Sequence, residues 1–134
     1  FGRVIELERG NLALSFAIDS VSGEFKNGGN IPRMVPSRNV YSMSYSVNDL
    51  EFRLNLKDVK EQRDIGVGET KTDGYQMLDV LVKQTFNLSN QSNFSLSLFA
   101  NNLLDEVARN HTSFVKNEIP LAGRNYGIRF NYQF

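Results

Sequence analysis

Few side chains in this sequence have the chemistry to act on another molecule. His111 is the only histidine, and it lies in "LLDEVARNHTSFVKNEIP", where Asp105, Glu106 and Glu118 add carboxylates. Imidazole nitrogen and carboxylate oxygen are ligands that divalent metals accept, which makes His111, Asp105 and Glu118 the candidate metal ligands. Their separations follow no established ligand spacing, so the plainer expectation is a loop histidine in solvent. "GVGETKT", Gly66–Thr72, has the glycines of a phosphate loop but lacks the closing Gly-Lys-Ser/Thr, and no helical periodicity follows it. A flexible loop is expected there. Serines are plentiful, but none has a general base in a recognisable arrangement, and no enzyme is expected. With 15 basic and 15 acidic residues the chain carries no excess charge to draw it to nucleic acid. The absence of cysteine excludes disulfides and thiolate metal sites.

The segments that must position these residues alternate in polarity. In "NYGIRFNYQF" at the end of the chain, Tyr126, Ile128, Phe130, Tyr132 and Phe134 share one parity, and Asn125, Gly127, Arg129, Asn131 and Gln133 share the other. A period of two marks a strand with one apolar and one polar face. The same reading gives seven strands, at Arg3–Glu8, Asn11–Val21, Ser37–Val47, Leu50–Val59, Gly74–Phe86, Phe94–Asn101 and Arg124–Phe134. Leu12, Leu14, Phe16 and Ile18 line one apolar face, as do Tyr41, Met43, Tyr45 and Val47, then Leu50, Phe52, Leu54 and Leu56. The opposite side is expected to be wet, with Ser42, Ser44, Ser46, Asn55, Gln76 and Asp79. Arg53, Lys57, Lys83, Arg124 and Arg129 are expected there as a polar wall. No apolar run approaches the roughly 20 residues of a membrane-spanning helix.

Short links at Arg9-Gly10, Asn48-Asp49 and Asn87–Asn93 alternate with long ones at Ser22–Pro36, Lys60–Asp73 and Leu103–Gly123. That order gathers every short turn, together with Phe134, at one edge of the sheet. Membrane barrels have this asymmetry, with short periplasmic turns and long extracellular loops. The expected fold is therefore all-β, an antiparallel transmembrane β-barrel segment of about seven meandering strands. A soluble β-sandwich is the alternative. Single-chain bacterial barrels have even strand numbers, so at least one further strand is expected before Phe1. Asn87, Asn90, Asn93 and Asn110 begin Asn-x-Ser/Thr sequons, which polar turns produce by chance.

The segment "FANNLLDEVARNHTSFVKNEIPLAGRNYGIRFNYQF" resembles the carboxyl end of TonB-dependent outer-membrane receptors. The points of similarity are Asn102 and Leu103 followed by Asp105, the Gly123-Arg124 pair, and the final Phe134. Gly74 and Tyr75 look like the family's Gly-Tyr strand opening. "HTSFVKNEIPLAGR" is similar to the branch that contains zinc-uptake receptors. The resemblance implies a barrel of about twenty-two strands around an amino-terminal plug, of which this chain would be the carboxyl-terminal part, without the plug. It implies active import of a metal ion or metal chelate, zinc or an iron-siderophore, at the outer membrane of a Gram-negative bacterium. The implied partners are outer-membrane lipid, the rest of the receptor, the TonB complex acting through the absent region, and the barrel-assembly machinery. The alternating aromatic row from Tyr126 to Phe134 is similar to the signal that machinery engages. On this reading His111, Asp105 and Glu118 would be a transient capture site on an extracellular loop, and no resident cofactor is expected. A passive porin or structural barrel would share the strands and the terminal Phe134.

Overall fold

The computed structural model describes residues 1–88 and 92–134. Its strands are β1 (Gly2–Leu7), β2 (Gly10–Asp19), β3 (Arg38–Val47), β4 (Leu50–Val59), β5 (Tyr75–Asn87), β6 (Asn93–Asn101) and β7 (Asn125–Gln133). They form one seven-stranded antiparallel sheet in chain order, and no helix occurs among the described residues. The sheet is not closed, so β1 and β7 are its edges. Among the described residues no second sheet faces it, and they do not form the sandwich alternative.

The register keeps polarity in step across every strand. One unbroken row runs Ile5, Leu12, Tyr45, Phe52, Val82, Leu98, Ile128. The next row runs Glu6, Asn11, Ser46, Glu51, Lys83, Ser97, Arg129 and points the other way. A slip of one residue at any pair would send a whole strand's apolar set to the polar side. Tight turns help fix this register. Val47 pairs with Leu50 across Asn48-Asp49, and Asn48 takes a left-handed φ of 48°, which asparagine tolerates well.

Three local expectations change. The first hairpin turns at Glu8-Arg9, and Gly10 is already in β2. Gly10 has φ 139°, and a Cβ there would meet the Ser46 carbonyl oxygen at 2.4 Å, so the neighbouring strand excludes any side chain. Gln76 was expected on the wet side, but it pairs with Asp58 and shares the parity of Leu78, on the apolar side. Arg124 does not join the polar wall. It precedes β7 and bonds to Asp105. Arg53, Lys57, Lys83 and Arg129 do share the polar face. Asn90 lies outside the described residues.

The short turns and the end of β7 lie at one edge of the sheet, and the long connections 20–37, 60–74 and 102–124 lie at the other. The sheet has no conventional core. Among the described residues, Val59 and Ala108 are the only buried hydrophobic side chains, whereas Ile18, Ile128 and Phe130 are each more than 60% exposed. Aromatic pairs cross strands on that open face, Phe16 with Tyr41 and Phe94 with both Phe86 and Phe130.

Candidate functional site

The two best-covered polar side chains, His111 and Asn102, come from the loops at the far edge. Each long connection first folds on itself. An isolated bridge joins Glu24 to Asn30 in the first, and another joins Gln62 to Thr72 in the second. The third is pinned at its base by Asn102. Its side-chain amide donates to the carbonyls of Glu106 and Ala122 at 2.9 and 3.2 Å, and its Oδ1 accepts from the Glu106 N–H at 3.0 Å. Its own N–H donates to Asp79 Oδ1 of β5 at 2.9 Å. Asn102 also adopts φ 50°. A residue that must turn left-handed and bond the chain ahead of it is well served by asparagine. Asp105 closes the same base, accepting from the backbone N–H and the guanidinium of Arg124, each at 3.1 Å.

Above that base lies a cluster drawn from all three loops. His111 and Lys116 come from the third, Glu69 and Thr72 from the second, and Arg33 from the first. His111 is 1% exposed. Its Nδ1 is 2.7 Å from the Thr72 hydroxyl and 3.1 Å from Lys116 Nζ. Lysine ammonium only donates, so Nδ1 is the acceptor, and the neutral ring carries its proton on Nε2. Nε2 lies 3.6 Å from Glu69 Oε1, too long for a hydrogen bond, and has no hydrogen-bond partner among the described residues.

Glu69 is held by backbone donors, the N–H of Arg33 on Oε1 and that of Gly66 on Oε2, both at 2.8 Å. Burial pushes its carboxyl up, but those two N–H groups with His111 and Lys116 outweigh it, and the pKa ends below the ordinary 4.5. Burial pushes His111 below its ordinary 6.5, and Lys116 and Arg33 add to this against the pull of Glu69. Lys116, also lowered mainly by burial, donates to the Thr70 carbonyl at 2.6 Å. Arg33 spans the remaining gap. Its guanidinium lies 3.2 Å from the Phe114 ring centre and donates to the Thr112 carbonyl at 3.4 Å.

The candidate ligands are not brought together. His111 spends Nδ1 on Thr72 and Lys116, Asp105 is engaged by Arg124, and Glu118 is exposed. Among the described residues no group of three or more His, Cys, Asp or Glu side chains is placed to hold a metal ion. Two cations and one carboxylate surround the imidazole, a balance that disfavours a divalent cation. His111 is equally not the solvated loop histidine of the plainer expectation, and "GVGETKT" is not free, since its Glu69, Thr70 and Thr72 all bond into the cluster. Glu69, Thr72 and Arg33 carried no sequence signal, because their pairing with the third loop spans tens of residues, and Lys116, five residues from His111, has no regular periodicity to tie it there.

Of the remaining named residues, Leu103 continues the ladder by donating its N–H to the Leu78 carbonyl. Gly123 lies beside Asp105, where a Cβ would find ordinary contact at 3.8 Å. Tyr126, Ile128, Phe130 and Tyr132 are all exposed on one side of the edge strand β7, and Phe134, just after it, is exposed too. No protein-family model matches the chain, and no curated protein is detectably similar to it.

Proposed function

We propose that this chain is the carboxyl-terminal wall of the barrel of a TonB-dependent outer-membrane receptor that imports a metal ion or metal chelate. The observation that carries the membrane part of this reading is the uncovered apolar face. A sheet in water hides such a face against a second layer, and here no layer among the described residues covers the seven-residue row from Ile5 to Ile128. Hydrocarbon would cover it instead, while the row from Glu6 to Arg129 would face a wet interior. Tyr126 and Tyr132 near the ends of β7 suit the two interfaces, where amphipathic rings are favoured.

Lipid also leaves no water for an open sheet edge. The reading therefore assigns the free edges of β1 and β7 to neighbouring strands of the rest of the receptor, with β7 also presenting its aromatic row to the assembly machinery. The motor would lie in the plug and its TonB contact, outside this chain. The metal or chelate is cargo; zinc rests on the resemblance of "HTSFVKNEIPLAGR" and iron-siderophore on the resemblance to the family as a whole. No specific observation favours a passive porin.

The test is the intact mass and partition of the native polypeptide. The expected result is a chain several-fold heavier than these 134 residues, extracted from outer membranes only by detergent and migrating anomalously until boiled. A soluble two-state monomer in plain buffer would overturn the barrel. A native chain of this length alone would overturn the receptor and leave a passive or oligomeric barrel.

A further inference from the structure

We propose that His111, Lys116, Thr72 and Glu69 form a proton-released latch: a neutral imidazole ties loop 102–124 to loop 60–74, and a protonated one lets them part. The latch stands on loop geometry and not on the membrane reading.

The pH-sensitive part of the tie is one lone pair, beside a bond from the Thr70 hydroxyl to Asn117 Oδ1 at 3.0 Å that joins the same two loops and does not titrate. His111 Nδ1 receives both the Thr72 hydroxyl and the Lys116 ammonium, at 2.7 and 3.1 Å. Lys116 in turn reaches across to the Thr70 carbonyl at 2.6 Å, and Arg109 secures the Lys116 backbone by donating to its carbonyl at 2.5 Å. Thus the Nδ1 lone pair and Lys116 Nζ together join two loops that are far apart in the chain. A proton on Nδ1 removes the lone pair. The Thr72 hydroxyl can reverse and accept, but the ammonium has no acceptor role and would face an imidazolium at 3.1 Å. Leaving that position also breaks its bond to Thr70.

The charged groups around the ring decide the sign. From loop 102–124 comes Lys116, from loop 20–37 comes Arg33, and from loop 60–74 comes Glu69, at 3.6 Å from Nε2. Glu69 favours the imidazolium, but its oxygens are already shared by two backbone N–H groups. Burial of the ring and the two cations prevail, and the imidazole is held neutral below its ordinary 6.5. A base with a depressed folded pKa binds more protons once released. The docked loops are therefore fully stable above 6.5 and lose stability as pH falls from there towards the depressed value. Glu69 acts in a separate window, since its carboxylate stays charged until pH falls below the ordinary 4.5.

Hydrogen exchange of the full chain, in the medium that keeps it folded, reads this directly. Between about pH 7 and about pH 5, corrected exchange in residues 66–72 and 108–118 is expected to rise up to about ten-fold per pH unit, with the strands unchanged. His111→Gln is expected to abolish that slope. Unchanged loop exchange in the wild type, opening only below about pH 4.5, or a slope that survives in H111Q would each overturn the latch. Should H111Q leave the loops open at every pH, Lys116→Met decides. Removing Lys116 is expected to raise loop exchange at neutral pH, because its bond to Thr70 is lost, and to shrink the rise between about pH 7 and about pH 5, because the facing cation is gone; an undiminished rise overturns the proposal.

Discussion

On the sheet, Ile128, Phe130 and Tyr132 stand more than half exposed, while in the loops His111, Asn102 and Lys116 are almost wholly covered. An ordinary soluble domain has these the other way round, with apolar strand residues inside and charged loop residues in water. The two regions are therefore held by different means. The strands rest on their backbone ladders and on whatever covers the apolar face. The loops rest on a polar network that satisfies itself except at His111 Nε2, with Asn102 bonding the chain fore and aft and Lys116 shared between Thr70 and His111. Buried polar groups remain stable only when they are partnered. The loop network should thus tolerate a change of surroundings that the sheet does not.

Ile128→Arg is the sharpest way to break that comparison, because its outcome depends on what the face meets. If hydrocarbon covers the row, a central arginine costs about 2–4 kcal/mol of folding stability in lipid vesicles. If water covers it, a residue 61% exposed should change stability by under about 0.5 kcal/mol. Asn131→Arg on the polar side of the same strand serves as the control and should cost under about 0.5 kcal/mol in either case.

The loop side is tested by Asn102→Ala. The change removes both amide donations and leaves the Glu106 N–H and two carbonyls without their partners, and it puts alanine at φ 50°. The expected loss is about 2–3 kcal/mol. It should appear as faster hydrogen exchange across 103–123, with the strand amides unaffected. Equal loss of protection in β5 and β6 would mean that loop and sheet are one cooperative unit.

Alternation made the strands legible. It placed Leu50–Val59 to the residue and every other strand within two residues, because a period of two is written locally. It failed where local parity was miscounted, at Gln76 and at Arg124, which has the parity of Tyr126 and in addition precedes β7. The site was far less legible. Asn102 stood out only as part of a resemblance and Asp105 otherwise only as a candidate metal ligand, and their bonding role follows from two left-handed residues that composition does not reveal. Glu69 and Thr72 meet His111 across about forty positions of irregular chain, and no periodicity encodes such a meeting.

A smaller effect is expected where an aromatic shields a glycine on the polar side of the sheet. Phe99 pairs with Gly127, and a Cβ on Gly127 would fall 2.2 Å from Phe99 Cζ, so the ring lies directly over the glycine backbone. Gly127→Ala should cost about 1–2 kcal/mol by displacing the ring. Adding Phe99→Ala should recover part of it, because the clash and its cause are removed together. Strict additivity of the two changes in a denaturation cycle would deny the contact any role.

The smallest effect belongs to the Asp105–Arg124 pair, and its value lies in separating charge from backbone geometry. Both side chains are about half exposed, so the ion pair itself should contribute under about 1 kcal/mol. Asp105→Asn keeps an oxygen for the Arg124 N–H and suits the left-handed φ of 60° at least as well. It should leave the denaturation midpoint nearly unchanged. Asp105→Ala loses the backbone bond as well and strains that φ, for a cost of about 1–2 kcal/mol confined to the loop. If Asn and Ala prove equally damaging, charge governs the loop base. The contrast between a charge-indifferent polar network and an environment-dependent sheet would then fail at the point where the two join.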